Sequence, residues 1–547
     1  MVKRYKYLLI PLVLILCSGF IKTDSDIYFQ VSRSIDIFGK VYKEVSFNYV
    51  DNLNPEEFMV SGINGMLSSL DPYTVFIDEK RKSDIDLLTN GKYGGIGISI
   101  GIRNDKITIV DIMDGYSAQR QGIRIGDVIE KVNNVELTKD NFEDISSLVK
   151  GDPGTEVQIT ILRDNEGQIV FNLLREEIKV KNLTFGGFVP ENSNNIYLKL
   201  TGFTRTAGDE IQKTLSELKE QKPVNSIVLD LRGNPGGLLD AAVDVCEKFL
   251  KKEQLIVTVK GRDSANSKSY YSSEEPVAGN SKLVVLVDSG AASASEIVAA
   301  AIQDHDRGLI LGTDTFGKGL VQTVIPLSYN TSLKITTAKY YTPSGRCIQK
   351  IDYSRNNKVF VTNKGSVSQA FKTDNDRQVF AAGGVKPDSV VVSDSEINVV
   401  NDLNSRGMIF KFATSFANSH TKDEFYKTSQ DVLFNQFTDF LKKDKYKYRS
   451  AIEKQLNDLY ADAKKENYNK SILDQLNNLD SQLKSMRDFE IKNHKTEIVN
   501  ALRSELLMHY EGSTGRMKEL LNSDRQFKIA LDILNDNALY NHLLTHH

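Results

Sequence analysis

With 547 residues the chain exceeds what one ordinary hydrophobic core holds, so it should fold as several units, roughly three or four. Apolar residues at 40% and charged residues at 26% exclude a disordered or membrane-embedded class. A net charge of −3 gives no electrostatic ground for nucleic acid or an anionic membrane surface as partner.

At the N-terminus, Lys3, Arg4 and Lys6 precede the apolar run 7–17, the charge-then-apolar order of an export signal. The run is shorter than the roughly 20 residues of a membrane-spanning helix, and Pro11 interrupts it. Residues 1–20 are therefore expected to be a signal peptide, and the protein to be exported, periplasmic or membrane-associated facing the periplasm. No clean A-x-A cleavage site follows, and Leu16 before Cys17 argues against a lipoprotein. Cys246 and Cys347 lie in core-like patterns and announce no disulfide framework.

Residues 26–78 read as helical: Val31, Ile35, Val41 and Val45 recur near helical spacing, and Asn54-Pro55-Glu56-Glu57 is a capped helix start. Leu70-Asp71-Pro72-Tyr73 is a turn. Over 80–178 the texture changes to short β runs divided by glycine, with a helix at 142–149. The loop Gly95-Ile96-Gly97 opens onto a strand, and its backbone N–H groups suit a peptide's terminal carboxylate while the peptide adds to the sheet edge. The order of elements, with Gly126-Asp127-Val128-Ile129, resembles a PDZ domain. Residues 185–395 alternate strands and helices, and the all-apolar run 283–287 suits a strand covered on both faces. From 400 to 547, helical patterns rich in Lys, Glu, Asn and Gln form a C-terminal helical region whose charged faces should be solvated.

The informative stretch is Asp288-Ser289-Gly290-Ala291-Ala292-Ser293-Ala294-Ser295-Glu296, between an apolar strand and a helix running to about Asp304. A small-residue turn there leaves a serine hydroxyl clear of neighbours and close to the helix's free N–H groups and positive dipole end. An oxyanion is well placed in such a spot. Ser293 and Ser295 both qualify, and either is also an ordinary helix cap. His305 is the one histidine nearby, but it lies about 18 Å along the helix from Ser293. Lys318, between Gly317 and Gly319, is a base candidate, because a dry setting lowers a lysine pKa and frees the amine. Ser–Lys pairs are a variant of triad chemistry. No His/Cys cluster has metal-ligand spacing, so neither a metal nor a cofactor is expected.

These motifs closely resemble the C-terminal processing peptidases, the S41 serine proteases. The resemblance covers about residues 30–395. It rests on 290–297, on Thr315-Phe316-Gly317-Lys318-Gly319 with Gln322, and on Asp230-Leu231-Arg232-Gly233-Asn234-Pro235-Gly236-Gly237. Residues 340–346, 384–388 and 70–73 also match. The implied fold is a ClpP/crotonase-like α/β protease core with N-terminal helices, a PDZ-like β-rich module and a helical C-terminal appendage. The resemblance implies Ser293 as nucleophile, Lys318 as general base and Gln322 as the residue that orients the lysine. An oxyanion hole from Ala294 and the Gly236-Gly237 turn is implied as well. Asp304, discussed in some relatives, sits too far along the helix and reads as structural. Ala291 stands where the family often has serine, which leaves the chemistry intact. The implied activity is that of an exported serine endopeptidase cutting proteins whose C-termini its PDZ-like module holds. A homodimer through the N-terminal helices and an accessory lipoprotein that delivers substrate are suggested by the same likeness. The competing readings are a non-catalytic PDZ scaffold that keeps the protease fold, and an acyl-CoA enzyme of the crotonase type.

Overall fold

A computed structural model describes residues 24–79, 91–103, 106–138, 142–163, 166–263, 267–353, 360–361, 370–381, 383–392, 398–448 and 450–545. The expected signal segment 1–20 lies outside them. The chain divides into two compact units. One runs to Ile77 and takes in 324–335 and 353–357; the other holds the rest.

In the first unit, helices α1 (Asp24–Asn48) and α2 (Pro55–Leu67) are joined through Tyr42. Its ring stacks on Phe58 at 5.7 Å, and its hydroxyl donates to the Pro55 carbonyl. Asn54 caps α2 by accepting from the Glu56 N–H at 3.0 Å, with Pro55 at the first helical position as the sequence predicts. Asp71 turns the chain by accepting from the N–H groups of Tyr73 and Thr74. Strand β1 (Val75–Ile77) then pairs antiparallel with residues 332–334. Much of α1 is apolar yet exposed, including Phe29, Ile35 and Phe47.

The second unit begins with the β-rich module. β2 (Lys92–Gly95) pairs with β9 (Glu176–Lys179). Between them β3 (Ile98–Arg103), β4 (Lys106–Ile112), β5 (Val128–Val132), β7 (Glu156–Arg163) and β8 (Gly167–Leu174) form an antiparallel sheet in that order, with β6 (Val135–Glu136) beside β5. β3 is an edge strand. Helices α3 (Ser117–Gln121) and α4 (Phe142–Val149) close a core of Ile96, Ile109, Ile129, Ile145, Ile159 and Ile161. The Gly-Asp turn of the sequence motif has a second purpose. Asp127 receives both Nε and Nη2 of buried Arg163 at 2.8 Å, a bidentate pair that ties the turn to β7.

The next layer is a six-stranded sheet in the order β10 (Leu183–Phe188), β11 (Asn195–Leu200), β12 (Ser226–Asp230), β15 (Lys282–Val287), β16 (Leu309–Gly312) and Ser389–Val390. It is parallel apart from the β10–β11 pair. Alternate residues leave opposite faces. Ile227, Leu229, Leu283 and Val285 meet α5 (Ala207–Gln221), α6 (Leu239–Glu247) and α7 (Ala294–Asp304). β13 (Leu255–Gly261) and β14 (Lys268–Tyr271) form an antiparallel hairpin, and β13 also pairs with residues 338–341; β17 (Leu320–Pro326) follows the base-candidate turn.

The C-terminal region comprises α8 (Asn398–Ser405), α9 (Met408–Ser419), α10 (Lys422–Lys427), α11 (Gln430–Lys443), α12 (Ala451–Lys465), α13 (Lys470–Asn493) and α14 (Lys495–Ser523), the last bent at Gly512. Phe412, Phe416, Phe437, Leu502 and Leu506 are among its core. It abuts the β-rich module where Gly126 faces Thr414 and Arg103 lies over the Phe410 ring. The last two helices of this appendage also pack on the sheet. α15 (Arg525–Asn535) and α16 (Asn537–Thr545) cover the second face of the six-stranded sheet. There Phe527, Ala530, Ile533, Leu534 and Tyr540 pack with Tyr197, Val228, Val284 and Leu286. The all-apolar strands need two covers, and these helices are one of them.

Candidate active site

β12, β15 and β16 are adjacent and parallel, so the turns that follow them converge on one edge of the sheet, where α/β folds place their ligands. The turn after β12 carries the Gly236-Gly237 pair, that after β15 carries Ser293, and that after β16 carries Lys318. The three interlock. The Gly233 N–H donates to Asp288 Oδ1 at 2.8 Å, Ala292 N–H to the Asn234 carbonyl at 3.0 Å, and Phe316 N–H to the Ala291 carbonyl at 3.0 Å.

Ser293 sits at φ 55°, ψ −111°, a strained conformation for a residue with a side chain, and opens α7. Ser295 is fully buried and spends its hydroxyl on the Asn234 carbonyl at 2.9 Å. Of the two candidate serines, Ser293 therefore keeps the half-buried position at the mouth of the turn. Gly236, at φ 96°, approaches so closely that a Cβ there would lie 2.6 Å from the Ala292 carbonyl oxygen and 3.0 Å from Ser293 Cβ. Its N–H is already taken by Asn234 Oδ1 at 2.9 Å, which removes Gly236 from the donors expected for an oxyanion. Gly237 remains, its backbone bridged to Phe203. At the helix mouth, the N–H groups of Ser295, Glu296 and Ile297 go to the carbonyls of Ala292 and Ser293. Among the described residues no acceptor meets the N–H of Ala294, the first in the helix.

Glu296 was not singled out from the sequence, yet it joins the serine and lysine turns. It is completely buried, and its Oε2 accepts from Ser293 N–H and from Lys318 N–H, both at 2.9 Å. Its Oε1 accepts from the Thr315 hydroxyl at 2.6 Å and Gly317 N–H at 2.7 Å. Burial pushes this carboxyl above the ordinary range, against the pull of all four donors. The hydroxyl of buried Tyr340 makes a second link, 2.7 Å from the Lys318 carbonyl and 3.2 Å from that of Ser293. Burial lifts its pKa well above the usual tyrosine value, so it stays a donor. The signal for Glu296 was present in the sequence: an acid three residues after a serine that opens a helix.

Gln322 lies on β17, half-buried, and its amide donates to the Thr336 hydroxyl at 3.2 Å. His305 ends α7, bonded to Asp374 and the Leu255 carbonyl, away from the serine. Asp304 accepts from Arg346, the Thr342 hydroxyl and the Ser344 N–H, a structural role.

In the β-rich module, the carbonyls of Ile96 and Gly97 accept from Ala118 and Met113 at 3.1 and 2.9 Å. A trans peptide sends its N–H the opposite way from its carbonyl, so the N–H groups of Gly97 and Ile98 aim outward. They join the free edge of β3. The outward N–H groups of this loop are thus those of Gly97 and Ile98, whereas the sequence expectation named Gly95, Ile96 and Gly97. A Cβ on Gly97 would lie 2.5 Å from that of Tyr116, so glycine is required there.

Three family models match this chain: Peptidase family S41 over 195–359, PDZ domain over 108–163, and Probable PDZ-protease, C-terminal helical domain over 399–534. The chain is similar to a carboxy-terminal-processing protease of Bartonella bacilliformis, 35% identical over 332 residues that are 60% of this chain and 74% of that protein. It is similar to carboxy-terminal processing protease CtpA of Bacillus subtilis, 31% identical over 60% of this chain and 71% of that one. Among solved structures, a photosystem II D1 C-terminal processing protease matches at 26% identity over 65% of this chain and 86% of its own, with a TM-score of 0.35.

Proposed function

Since this chain belongs to the carboxy-terminal processing proteases of peptidase family S41, we propose that it is an exported endopeptidase that cuts proteins with Ser293 as nucleophile and Lys318 as base. The observation that carries this reading is the shared carboxylate: Glu296 binds the backbone N–H groups of both residues. A substrate's unstructured C-terminus adds to the edge of β3, its carboxylate on the N–H groups of Gly97 and Ile98. The chain beyond reaches the serine turn. The neutral Lys318 amine takes the Ser293 Oγ proton as the oxygen attacks the scissile carbonyl, and returns it to the departing amine. The negative oxygen of the tetrahedral intermediate is met by the N–H of Ala294 with that of Gly237. Water then releases the acyl group, with Lys318 again the base. Gln322 orients the lysine. The exposed apolar face of α1 supports a homodimer through the N-terminal helices, and an accessory lipoprotein delivers substrate.

The test is mass spectrometry of a folded reporter bearing an unstructured apolar tail, with its terminal carboxyl free or amidated. Cleavage should vanish in Ser293→Ala and in Lys318→Ala while both variants stay folded. Lys318→Arg should also fail, because a guanidinium does not give up its proton. Amidation should raise KM. Products persisting in Ser293→Ala would overturn the assignment and leave a PDZ scaffold as the better reading. Cell fractionation tests export.

A further inference from the structure

The base stands on the least constrained kind of backbone. Lys318 lies between two glycines, and a glycine lacks the Cβ that narrows the choice of φ and ψ, so sterics alone would leave the turn loose. An amine that must reach one hydroxyl oxygen needs its own backbone fixed. Hydrogen bonds do that here.

All six backbone polar groups of Gly317, Lys318 and Gly319 have partners. The N–H groups of Gly317 and Lys318 go to the two oxygens of Glu296. The Gly317 carbonyl accepts from Lys350 N–H at 2.9 Å, and the Gly319 carbonyl from Tyr340 N–H at 3.0 Å. The Lys318 carbonyl accepts from the Tyr340 hydroxyl at 2.7 Å, and the Gly319 N–H donates to Gln349 Oε1 at 2.6 Å. The turn is thus gripped from three sides: by α7, by the strand that holds Tyr340, and by Gln349-Lys350.

Three side chains supply four of these bonds, and two of the three also touch the nucleophile. Glu296 accepts from Ser293 N–H, and the Tyr340 hydroxyl lies 3.2 Å from the Ser293 carbonyl. A change in either moves nucleophile and base together. Gln349 bonds the lysine turn and, among the described contacts, makes no hydrogen bond to Ser293. Its amide is fixed at both ends, because Nε2 donates to the Ile351 carbonyl at 2.8 Å. Turning the amide over would set donor against donor at Gly319 and oxygen against oxygen at Ile351, so one orientation is locked. The approach is close: a Cβ on Gly319 would lie 3.0 Å from the Gln349 nitrogen and 3.2 Å from its Cβ. Gln322, by contrast, gives its amide to the Thr336 hydroxyl. Resting on the reading of Ser293 and Lys318 as nucleophile and base, we propose that Gln349 is a positioning residue: by accepting the Gly319 N–H it fixes the backbone from which the Lys318 amine reaches Ser293.

Two variants separate the two ends of the amide. Gln349→Met keeps the length of the side chain and removes both bonds, whereas Gln349→Glu keeps an acceptor for the Gly319 N–H and loses the donor to Ile351. Each is assayed with a fluorogenic peptide at the pH of its own maximal rate, so that a charge placed near Lys318 does not enter through protonation. In Gln349→Met, kcat should fall about 10- to 100-fold, as expected when a reacting group drifts by up to about 1 Å, with KM within about twofold. Gln349→Glu should keep kcat within about threefold of wild type, because the acceptor is retained. A purely structural role would lower the melting temperature of both and leave both kcat values near wild type. Hydrogen exchange read by mass spectrometry needs no catalysis: residues 316–321 should exchange faster in Gln349→Met, and residues 290–297 should not. A kcat for Gln349→Met close to wild type, an equal loss in Gln349→Glu, or unchanged exchange over 316–321 would each overturn the proposal and leave the site reading standing. Cleavage that persists in Ser293→Ala would instead remove the site reading, and the proposal with it.

Discussion

Replacing Glu296 by glutamine tests whether one buried carboxylate holds nucleophile and base in register. The four bonds are 2.9 Å from Ser293 N–H, 2.9 Å from Lys318 N–H, 2.7 Å from Gly317 N–H and 2.6 Å from the Thr315 hydroxyl. An amide keeps one accepting oxygen and turns the other into a donor. With NH2 on the Oε2 side, two N–H groups are lost at once. On the Oε1 side the Thr315 hydroxyl can rotate to accept, and only Gly317 N–H is stranded. The second arrangement is cheaper and should prevail. One stranded buried N–H costs about 1–3 kcal/mol, and the loss of charge from the remaining bonds adds about 1 kcal/mol. Glu296→Ala would strand all four donors, a cost comparable to the whole stability of a domain, about 5–15 kcal/mol, which is why glutamine is the informative change. Because the stranded donor neighbours Lys318, the base should drift, and displacements of about 1 Å cost about 100-fold in rate. Steady-state cleavage of a fluorogenic peptide should show kcat down about 100-fold with KM unchanged, the β3 edge being untouched. A kcat within twofold of wild type, alongside a lowered melting temperature, would refute the reasoning and reduce Glu296 to a fold residue.

Ser293→Gly should be more stable than Ser293→Ala by about 1 kcal/mol in urea unfolding, both inactive, because only glycine sheds the strain at φ 55°; equal stabilities would show the turn unstrained. His509 on α14 is held by burial at a pKa of about 4, against 6.5 when free. The unfolded chain then binds the proton more readily, so stability present above pH 6.5 should fall by up to about 3 kcal/mol as the pH drops toward 4. His509→Gln should flatten that part of the stability-versus-pH curve. Gln526 accepts from Arg232 at 2.8 Å and donates to the Val391 carbonyl at 2.6 Å, so Gln526→Ala should cost about 2–4 kcal/mol by leaving both unpaired, read by thermal unfolding.

Much of the site was legible because its pieces are local. The serine turn follows an apolar strand and opens a helix, and the lysine stands between two glycines; short spans of sequence carry both. Glu296 escaped notice because three of its partners, Thr315, Gly317 and Lys318, lie 19 to 22 residues downstream, and only folding brings them round. The Gly236 N–H is hidden for the opposite reason. Asn234, two residues back, captures its N–H, and nothing in composition distinguishes a free backbone donor from one already taken. In the β-rich module, the glycine loop was recognisable, but which amides point outward depends on where Ala118 and Met113 grip the carbonyls. α15 had a visible apolar side whose partner was invisible, although strand 282–287 is apolar on both faces after Lys282 and so demanded a second cover.

The cover on that second face has an implication for the order in which the enzyme comes into being. Ser293 and Lys318 are synthesised more than 200 residues before Phe527, Ile533 and Tyr540, which seal the sheet beneath them. Asp524 and Gln526, which grip Arg232 just ahead of the Gly236-Gly237 turn, also come from this late stretch. A growing chain thus carries Ser293 through more than 200 further residues of synthesis on a half-covered sheet, and that edge is braced only when α15 and α16 follow. Closure of that face therefore waits on residues 525–545, and the edge that carries Ser293 and Lys318 is complete only once they have folded against it.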